Sequence, residues 1–531
     1  MELTCCDRAA CRAGVSLTRP RPCWFPRRGR STVVCFGGNA VKEKIDHVVV
    51  LMLENRSLDS VLGWLYRDEQ PQHFYGADTT PTYQGLQTGE YSNQYDDRTI
   101  PASYGTKGET GYAGVPPQPM RVPGYDPGEE YAHVNQQLFG SPGHSVKTNP
   151  PNGTPAPMAG VAYDYGAFYE KWEQLGQIME AYTPEQLPIL NGLAKAYGVS
   201  DAWHSSVPTQ TNPNRAYSLC GTSLGRVNNT WDAVEQFNTR TIWNALPAGT
   251  SWGIYYHDTW QDGQCYTQYT FPGCTDALKD GEIASIDTFY SKARSGSLPR
   301  FTYLEPKWGY GLGKLDGSGF LCGKLFGKTY GAQGNDYHPP TWVGSGEVFV
   351  NNVYEALIAD ADAWQRTLLV ITFDEHGGTY DHVDPGWGAV PPDSQRGPDG
   401  FAFDRYGVRV PTLLISPWIP AGTVFRSPSA TLKYDHTSMA ATVLKWCGVD
   451  PAAAGLGDRV AVAPTFDGVL SEQPRADVPT FTVPDGYADQ GKDCWLEDES
   501  QRLPVGLMHS LVARSSTVEE LEAKVKAALN L

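Results

Sequence analysis

Two adjacent carboxylates, Asp374 and Glu375, follow the apolar, partly β-branched run Thr367-Leu-Leu-Val-Ile-Thr-Phe373. Neighbouring acids repel unless a proton or a positive charge lies between them, and a divalent cation is the simplest such charge. Glu54 and Asn55 stand in the same position after a second apolar run, Ile45-Asp-His-Val-Val-Val-Leu-Met-Leu53. Their oxygens suit Mg²⁺, Ca²⁺ or Mn²⁺ better than a soft metal. A third segment, Thr211-Asn-Pro213-Asn-Arg215, places a hydroxyl where Pro213 opens a helix, and there the dipole and free backbone amides favour an anion. A hydroxyl at that point could attack phosphorus, with a nearby metal lowering its pKa. Arg215 could clamp a phosphate or pair with a surface carboxylate. Plainer readings exist for each segment: an acidic turn that ends a strand, a helix opened by Ser57 or Asp59, and Thr211 as an ordinary N-cap.

The elements that must hold these groups are strands covered on both faces, because the two apolar runs do not alternate. Open α/β sheets place their sites at the carboxyl ends of such strands. Residues 346–359 read as a helix leading into the Asp374 strand, 408–416 as a further strand, and 435–446 as a helix with its own cap. The expected class is therefore α/β.

Gly221-Thr-Ser-Leu-Gly225 fits the G-x-S-x-G pattern of a serine-hydrolase elbow. That elbow needs a strand before it and a helix after it, whereas residues 214–220 read as a helix that Gly221 stops. Among the histidines, His382 and His436 could bind phosphate or be hydrogen-bonded structural groups. His257 follows the strand-like Trp252–Tyr256 and could face the site, while His47 lies within a strand.

Taken together, Glu54-Asn-Arg-Ser-Leu-Asp59, Thr211-Asn-Pro-Asn-Arg215, Asn335-Asp-Tyr-His-Pro-Pro340 and Asp374-Glu-His-Gly-Gly-Thr-Tyr-Asp-His-Val383 carry a resemblance. With residues 410–419 and 434–438 added, the sequence resembles the phosphoesterase family of nonspecific and phosphatidylcholine-hydrolysing phospholipases C and bacterial acid phosphatases. The resemblance spans roughly residues 45 to 470. It implies an alkaline-phosphatase-like three-layer α/β/α sandwich with a mostly parallel central sheet and long loop insertions. It also implies a divalent metal held by Glu54, Asn55, Thr211, Asp374 and Glu375, with Thr211 as nucleophile of a covalent phosphoenzyme. His144 and His338 match positions that contact the phosphate or protonate the leaving group. The chain departs from the family pattern at Leu58, usually Phe, and at Ser141-Pro142, where the family has an Asp shortly before its Gly-His. The implied activity is cleavage of a phospholipid to diacylglycerol and a phosphorylated headgroup; broad-specificity phosphomonoester hydrolysis is the alternative, and a non-catalytic lipid or sugar binder the remote one.

Composition bounds these expectations. The 531 residues, 40% of them hydrophobic, can bury a large core, and 56 Gly with 40 Pro imply many loops. Residues 67–160, rich in Tyr, Gly, Pro, Gln and Asp, read as an elaborate loop region over the site, whose aromatics could meet a lipid or sugar headgroup or only pack one another. A net charge of −17 argues against nucleic acid and against adsorption to anionic lipid, leaving a phospholipid or small phosphoester and peripheral membrane contact. Residues 1–40 differ, with seven Arg, two acids and five of the 11 cysteines. They lack the apolar stretch of a secretory signal and fit a transit peptide or a start read too far upstream, although the resemblance is compatible with a secreted or periplasmic protein. The expected organisation is a leader (1–40), a catalytic domain (41–475) and a C-terminal extension (476–531) ending in an amphipathic helix over 517–529. Cys265 and Cys274 are close enough in sequence for a disulfide in an exported protein, and Cys447 is expected in a helix core.

Overall fold

The computed structural model describes residues 44–108, 118–168, 175–229, 236–311, 315, 323–488, 503 and 505–529. The basic leader lies outside them. Nine strands make the main sheet: β1 (His47–Leu53), β2 (His73–Tyr75), β3 (Gly198–Ser200), β4 (Trp252–Tyr256), β5 (Gly281–Ser285), β6 (Phe301–Leu304), β7 (Thr367–Phe373), β8 (Thr412–Ile415) and β9 (Thr423–Phe425). Their order is β2-β9-β3-β8-β7-β1-β6-β4-β5. Every residue of β7 is buried, as is β1 beyond His47, which is why their sequences run continuously apolar instead of alternating. β7 is parallel to β1 as expected. The strand expected over 408–416 is shorter, Thr412–Ile415, and antiparallel to both β7 and β3. Its own residues carry no mark of that direction, because a buried strand has the same apolar pattern either way.

The helices that bear on the site are α1 (Leu58–Leu62), α2 (Tyr131–Phe139), α3 (Pro188–Ala196), α4 (Thr211–Cys220), α5 (Ile286–Arg294), α6 (Val343–Ile358), α7 (His436–Trp446), α8 (Val505–Ala513) and α9 (Val518–Leu529). α6 packs between α3 and α5, and these two meet strands β3, β8, β4 and β5. α4 and α7 pack together and reach β1 from their own side: the Trp446 indole donates to the Ile45 carbonyl at 2.9 Å and Arg215 to that of Met52 at 3.1 Å. α7 starts at a capping box between Asp435 and Ser438. α4 ends at Gly221, whose φ of 75° is the left-handed stop that a helix uses, so Gly221–Gly225 follows a helix and is not a nucleophile elbow.

Residues 67–160 hold more order than a loop reading allows. They supply edge strand β2, a hairpin of Ser92–Tyr95 with Arg98–Pro101, and α2. In α2 the buried Tyr131, Val134 and Leu138 recur at helical spacing but stand among Asn and Gln that are also buried, which blunts the amphipathic signal. The terminal helix α9 buries Leu521 and Val525 with Met508 and Leu511 of α8 and Leu325, a small cluster apart from the main core. Cys265 and Cys274 are free, buried thiols, and Cys447 is a half-buried cap residue after α7, outside the helix core. His47 is half-buried, its ring 3.1 Å from the Pro299 carbonyl. Among the described residues no helix is long and apolar enough to cross a membrane.

Candidate active site and metal centre

Register brings the two acidic segments together. Leu53 and Phe373 are paired residues of β1 and β7, so Glu54 and Asp374 step off adjacent strands at one level. The Asp374 amide donates to the Leu53 carbonyl at 3.1 Å, and the Asn55 amide donates to Asp374 Oδ1 at 3.0 Å. Asn55 sits at φ 55°, a left-handed conformation that Asn tolerates and most residues do not. The loops approach so closely that a Cβ on Gly377 would lie 2.3 Å from the Asn55 carbonyl oxygen. Glycine is required there.

Helix α4 closes the site from the side. Thr211 is its first residue, and its hydroxyl lies 3.3 Å from Glu54 Oε2 and 3.4 Å from Asn55 Oδ1. Arg215 is one turn further on the same face. It is fully buried and bonds Glu54 through Nε at 3.0 Å and through Nη2, while Nε also lies 3.3 Å from Asp374 Oδ2. Its partners are thus the site's own carboxylates and not surface ones. Burial alone would lower the Arg215 pKa, but the charges of Glu54, Tyr303 and Asp374 outweigh it and hold the guanidinium firmly protonated. Burial and the neighbouring Asp374 push the Glu54 carboxyl well above the usual range. Glu375 is pushed up too, by burial and then by the charges of Glu129 and Asp374.

Glu129 and Asp126 belong to a loop before α2 and were not expected. Glu129 accepts a hydrogen bond from the Asn55 side-chain amide and lies 3.9 Å from His338 Nε2; Asp126 lies 3.9 Å from His338 Nδ1. The short segment Asp126-Pro-Gly-Glu129 therefore has the Asp before a Gly that Ser141-Pro142 lacks, with Glu129 following in place of a histidine. His144 does not touch this cluster. It is exposed in a turn where its backbone pairs with Ser141, and its ring has no hydrogen bond or ion pair among the described residues. His338 is buried beside Asp126 and Glu129, which raise its pKa against the opposing effect of burial.

The remaining histidines fall into distinct settings. His436 is buried, and its Nε2–H donates to the Asp374 carbonyl at 2.6 Å, steadying the strand end. Buried His376, unremarked in the sequence, lies 3.3 Å from Glu375 Oε2 and 2.9 Å from Gln137 of α2. His382 is bonded to Asp59 at 2.6 Å and lies against Tyr91. His257 lines a separate cavity of about 240 Å³ with Lys307, Asn335 and Gln333, and burial, with Lys307, lowers its pKa to about 4.

The sequence matches the Phosphoesterase family over residues 45–450. The chain belongs to that family. Its relatives include non-specific phospholipase C3 of Arabidopsis thaliana, 30% identical over 88% of this chain and 81% of that protein. Non-specific phospholipase C1 of the same plant is 34% identical over 83% and 74%. Non-hemolytic phospholipase C of Burkholderia pseudomallei is 27% identical over 51% and 42%. A solved protein of the alkaline phosphatase superfamily from Vibrio parahaemolyticus aligns with 52% of this chain and 63% of its own, at 14% identity and a TM-score of 0.25.

The residues of this phosphoesterase fit a divalent cation on chemical grounds. Glu54, Asn55, Thr211, Asp374 and Glu375 are all oxygen donors, the set that hard cations take. Glu375 Oε1 is buried with no hydrogen-bond partner among the described residues, and Arg215 answers Glu54 and Asp374 but not Glu375. An unpaired buried carboxylate oxygen is costly unless a cation or proton takes it.

Proposed function

We propose that this phosphoesterase is a phospholipase C that cleaves a phospholipid to diacylglycerol and a phosphorylated headgroup, with Thr211 as the nucleophile. The observation that carries the reading is the Thr211 hydroxyl at a helix start, 3.3 Å from Glu54 Oε2 and 3.4 Å from Asn55 Oδ1. The names of the plant and bacterial relatives support the choice of a phospholipid. A divalent cation bound by Glu54, Asn55, Thr211, Asp374 and Glu375 would neutralise phosphate charge and lower the hydroxyl pKa.

The chain's own groups do the rest. Thr211 Oγ1 attacks phosphorus as its proton passes to Glu54 Oε2, 3.3 Å away, the P–O bond to the diacylglycerol oxygen breaks, and His338 is the group assigned to protonate that oxygen. The amides at the start of α4 favour the phosphate anion, and Arg215 keeps Glu54 and Asp374 in place. Water then attacks the phosphothreonine and releases the phosphorylated headgroup. His144, exposed and without a bond to the cluster, has no part in these steps.

Initial rates on phosphatidylcholine and on a chromogenic phosphomonoester, with and without chelator, test the proposal. Chelator-sensitive diacylglycerol release is expected. Turnover of the monoester alone would make the protein a phosphatase, and silence on both after metal repletion would sink the catalytic reading.

A further inference from the structure

Tyr337 separates two residues on which the site depends. Before it, the Asp336 carbonyl accepts the Glu54 amide at 2.8 Å. After it comes His338, the group assigned to protonate the leaving oxygen. Tyr337 stands at φ 71°, a left-handed conformation that strains a bulky residue and persists only where the surroundings impose it. They impose it from both ends. Arg56 Nε donates to the Tyr337 carbonyl at 2.8 Å, and the Tyr337 hydroxyl donates to Glu347 Oε1 at 2.6 Å. The buried ring meets Phe373, the last residue of β7, edge-on with centroids 5.5 Å apart, and lies so close to α6 that a Cβ on Gly346 would come within 2.2 Å of it.

Glu347 is anchored by a different part of the fold. The Ile189 and Leu190 amides, in the first turn of α3, donate to its two oxygens at 2.6 and 3.1 Å. On the other side of Tyr337 the chain is held just as closely. The His338 amide donates to Asp336 Oδ1 at 3.2 Å, the Gly309 amide to Asp336 Oδ2 at 2.8 Å, and His338 Nδ1–H to the Pro339 carbonyl at 2.6 Å. Little freedom is left between the hydroxyl of Tyr337 and the imidazole, so a backbone turn at Tyr337 would move the ring of His338 and the Asp336 carbonyl together.

We infer that Tyr337 and Glu347 are positioning residues that hold His338 where it can protonate the departing oxygen. The inference rests on the reading of His338 as proton donor. Its signature follows from the leaving group. A diacylglycerol oxygen leaves as a poor alkoxide unless it receives a proton, whereas p-nitrophenolate leaves without one, so a misplaced acid slows only the first.

The test compares kcat on phosphatidylcholine and on p-nitrophenyl phosphocholine, with the full chain in one metal-replete preparation. Tyr337→Phe removes a single oxygen and should lower kcat on phosphatidylcholine by roughly ten-fold or more, while the p-nitrophenyl ester changes by no more than about two-fold and the melting transition is retained. Glu347→Leu should show the same selective loss, whereas Glu347→Gln keeps an oxygen for the Tyr337 hydroxyl and should restore the rate on phosphatidylcholine. If Glu347→Leu fails to fold, Tyr337→Phe and Glu347→Gln decide the matter. Equal losses on both esters in Tyr337→Phe would make the residue a support of the fold alone, and no loss on either would make its hydroxyl idle; each overturns the inference. His338→Gln separates the two readings. A selective loss in His338→Gln but not in Tyr337→Phe overturns the positioning and leaves His338 as the donor, and no selective loss in His338→Gln overturns both.

Discussion

Two buried acidic clusters flank the same loop, and they are settled in opposite ways. In the first, Asp59 and Asp381 surround Arg409, which donates to Asp59 Oδ1 at 3.1 Å and to Asp381 Oδ1 and Oδ2 at 3.0 and 3.2 Å. The other Asp59 oxygen takes the His382 amide at 2.8 Å and its ring at 2.6 Å. Every carboxylate oxygen is answered, and the cluster ties the segment after β1 to the segment after β7. In the second, Glu54, Glu129, Asp374 and Glu375 crowd together, Arg215 serves Glu54 and Asp374, and Glu375 keeps an unmet oxygen. The first cluster, Asp59 and Asp381 with His382, has three ligand atoms within 4.8 Å of one another, so ligand atoms alone do not mark a metal site. Only the second has the unanswered charge that would draw an ion, so charge balance, more than ligand type, separates a structural clamp from a reactive centre.

The sharpest break between them is Thr211→Ala. Removing a nucleophile costs on the order of 10³-fold or more in kcat. The variant should lose turnover while its melting transition stays, and near-normal diacylglycerol release would remove Thr211 from the mechanism. The mirror experiment is Arg409→Met, which takes the buried guanidinium away from two buried carboxylates. It should destabilise the protein by about 3–5 kcal/mol in denaturant unfolding, yet leave metal content unchanged in the folded fraction. Loss of metal without loss of stability would reverse the roles assigned to the clusters. A smaller effect is expected of Asp374→Asn, which keeps the shape and removes one charge. Metal affinity should fall about ten-fold or more on losing a charged oxygen ligand, and an unchanged metal content by elemental analysis would contradict Asp374 as a ligand.

Much of the active site was legible because its residues stand directly beyond apolar runs, where sequence position and strand end coincide. Glu54, Asn55, Asp374 and Glu375 needed only the expectation of neighbouring strands, and the Leu53–Phe373 pairing supplies it. Asp126 and Glu129 carried no such mark. They reach the site because a Gly- and Pro-rich loop returns across it before α2, a tertiary event with no local periodicity. The family pattern of an Asp before Gly-His pointed instead to His144, which shares the Gly but lies in an exposed turn. Arg215 was visible as a cation at a helix start, but its burial between Glu54 and Asp374 depends on how α4 crosses β1. The direction of β8 was likewise set by its neighbours and not by its own apolar residues.

Glu347 shows a third way to settle a buried acid. It lies on α6 and receives the amides of Ile189 and Leu190 at 2.6 and 3.1 Å, from the first turn of α3, together with the Tyr337 hydroxyl at 2.6 Å. Neutral donors answer it, without a cation, and burial therefore still wins, pushing its pKa from 4.5 up to about 7. A carboxyl whose folded pKa is raised holds its proton more tightly in the folded state. Its contribution to stability is complete below the unfolded pKa and is lost as pH rises through the window between 4.5 and about 7. The slope is at most about 1.4 kcal/mol per pH unit. Glu347→Gln stays neutral throughout, so the difference between the urea midpoints of variant and parent should grow in favour of the variant across that window and then level off. A constant difference from pH 4.5 to 8 would mean that the α3 amides hold Glu347 as an anion. Helix-start amides alone would then suffice for a buried carboxylate, and the unmet oxygen of Glu375 would owe its distinction to the absence of such amides rather than to the absence of a cation.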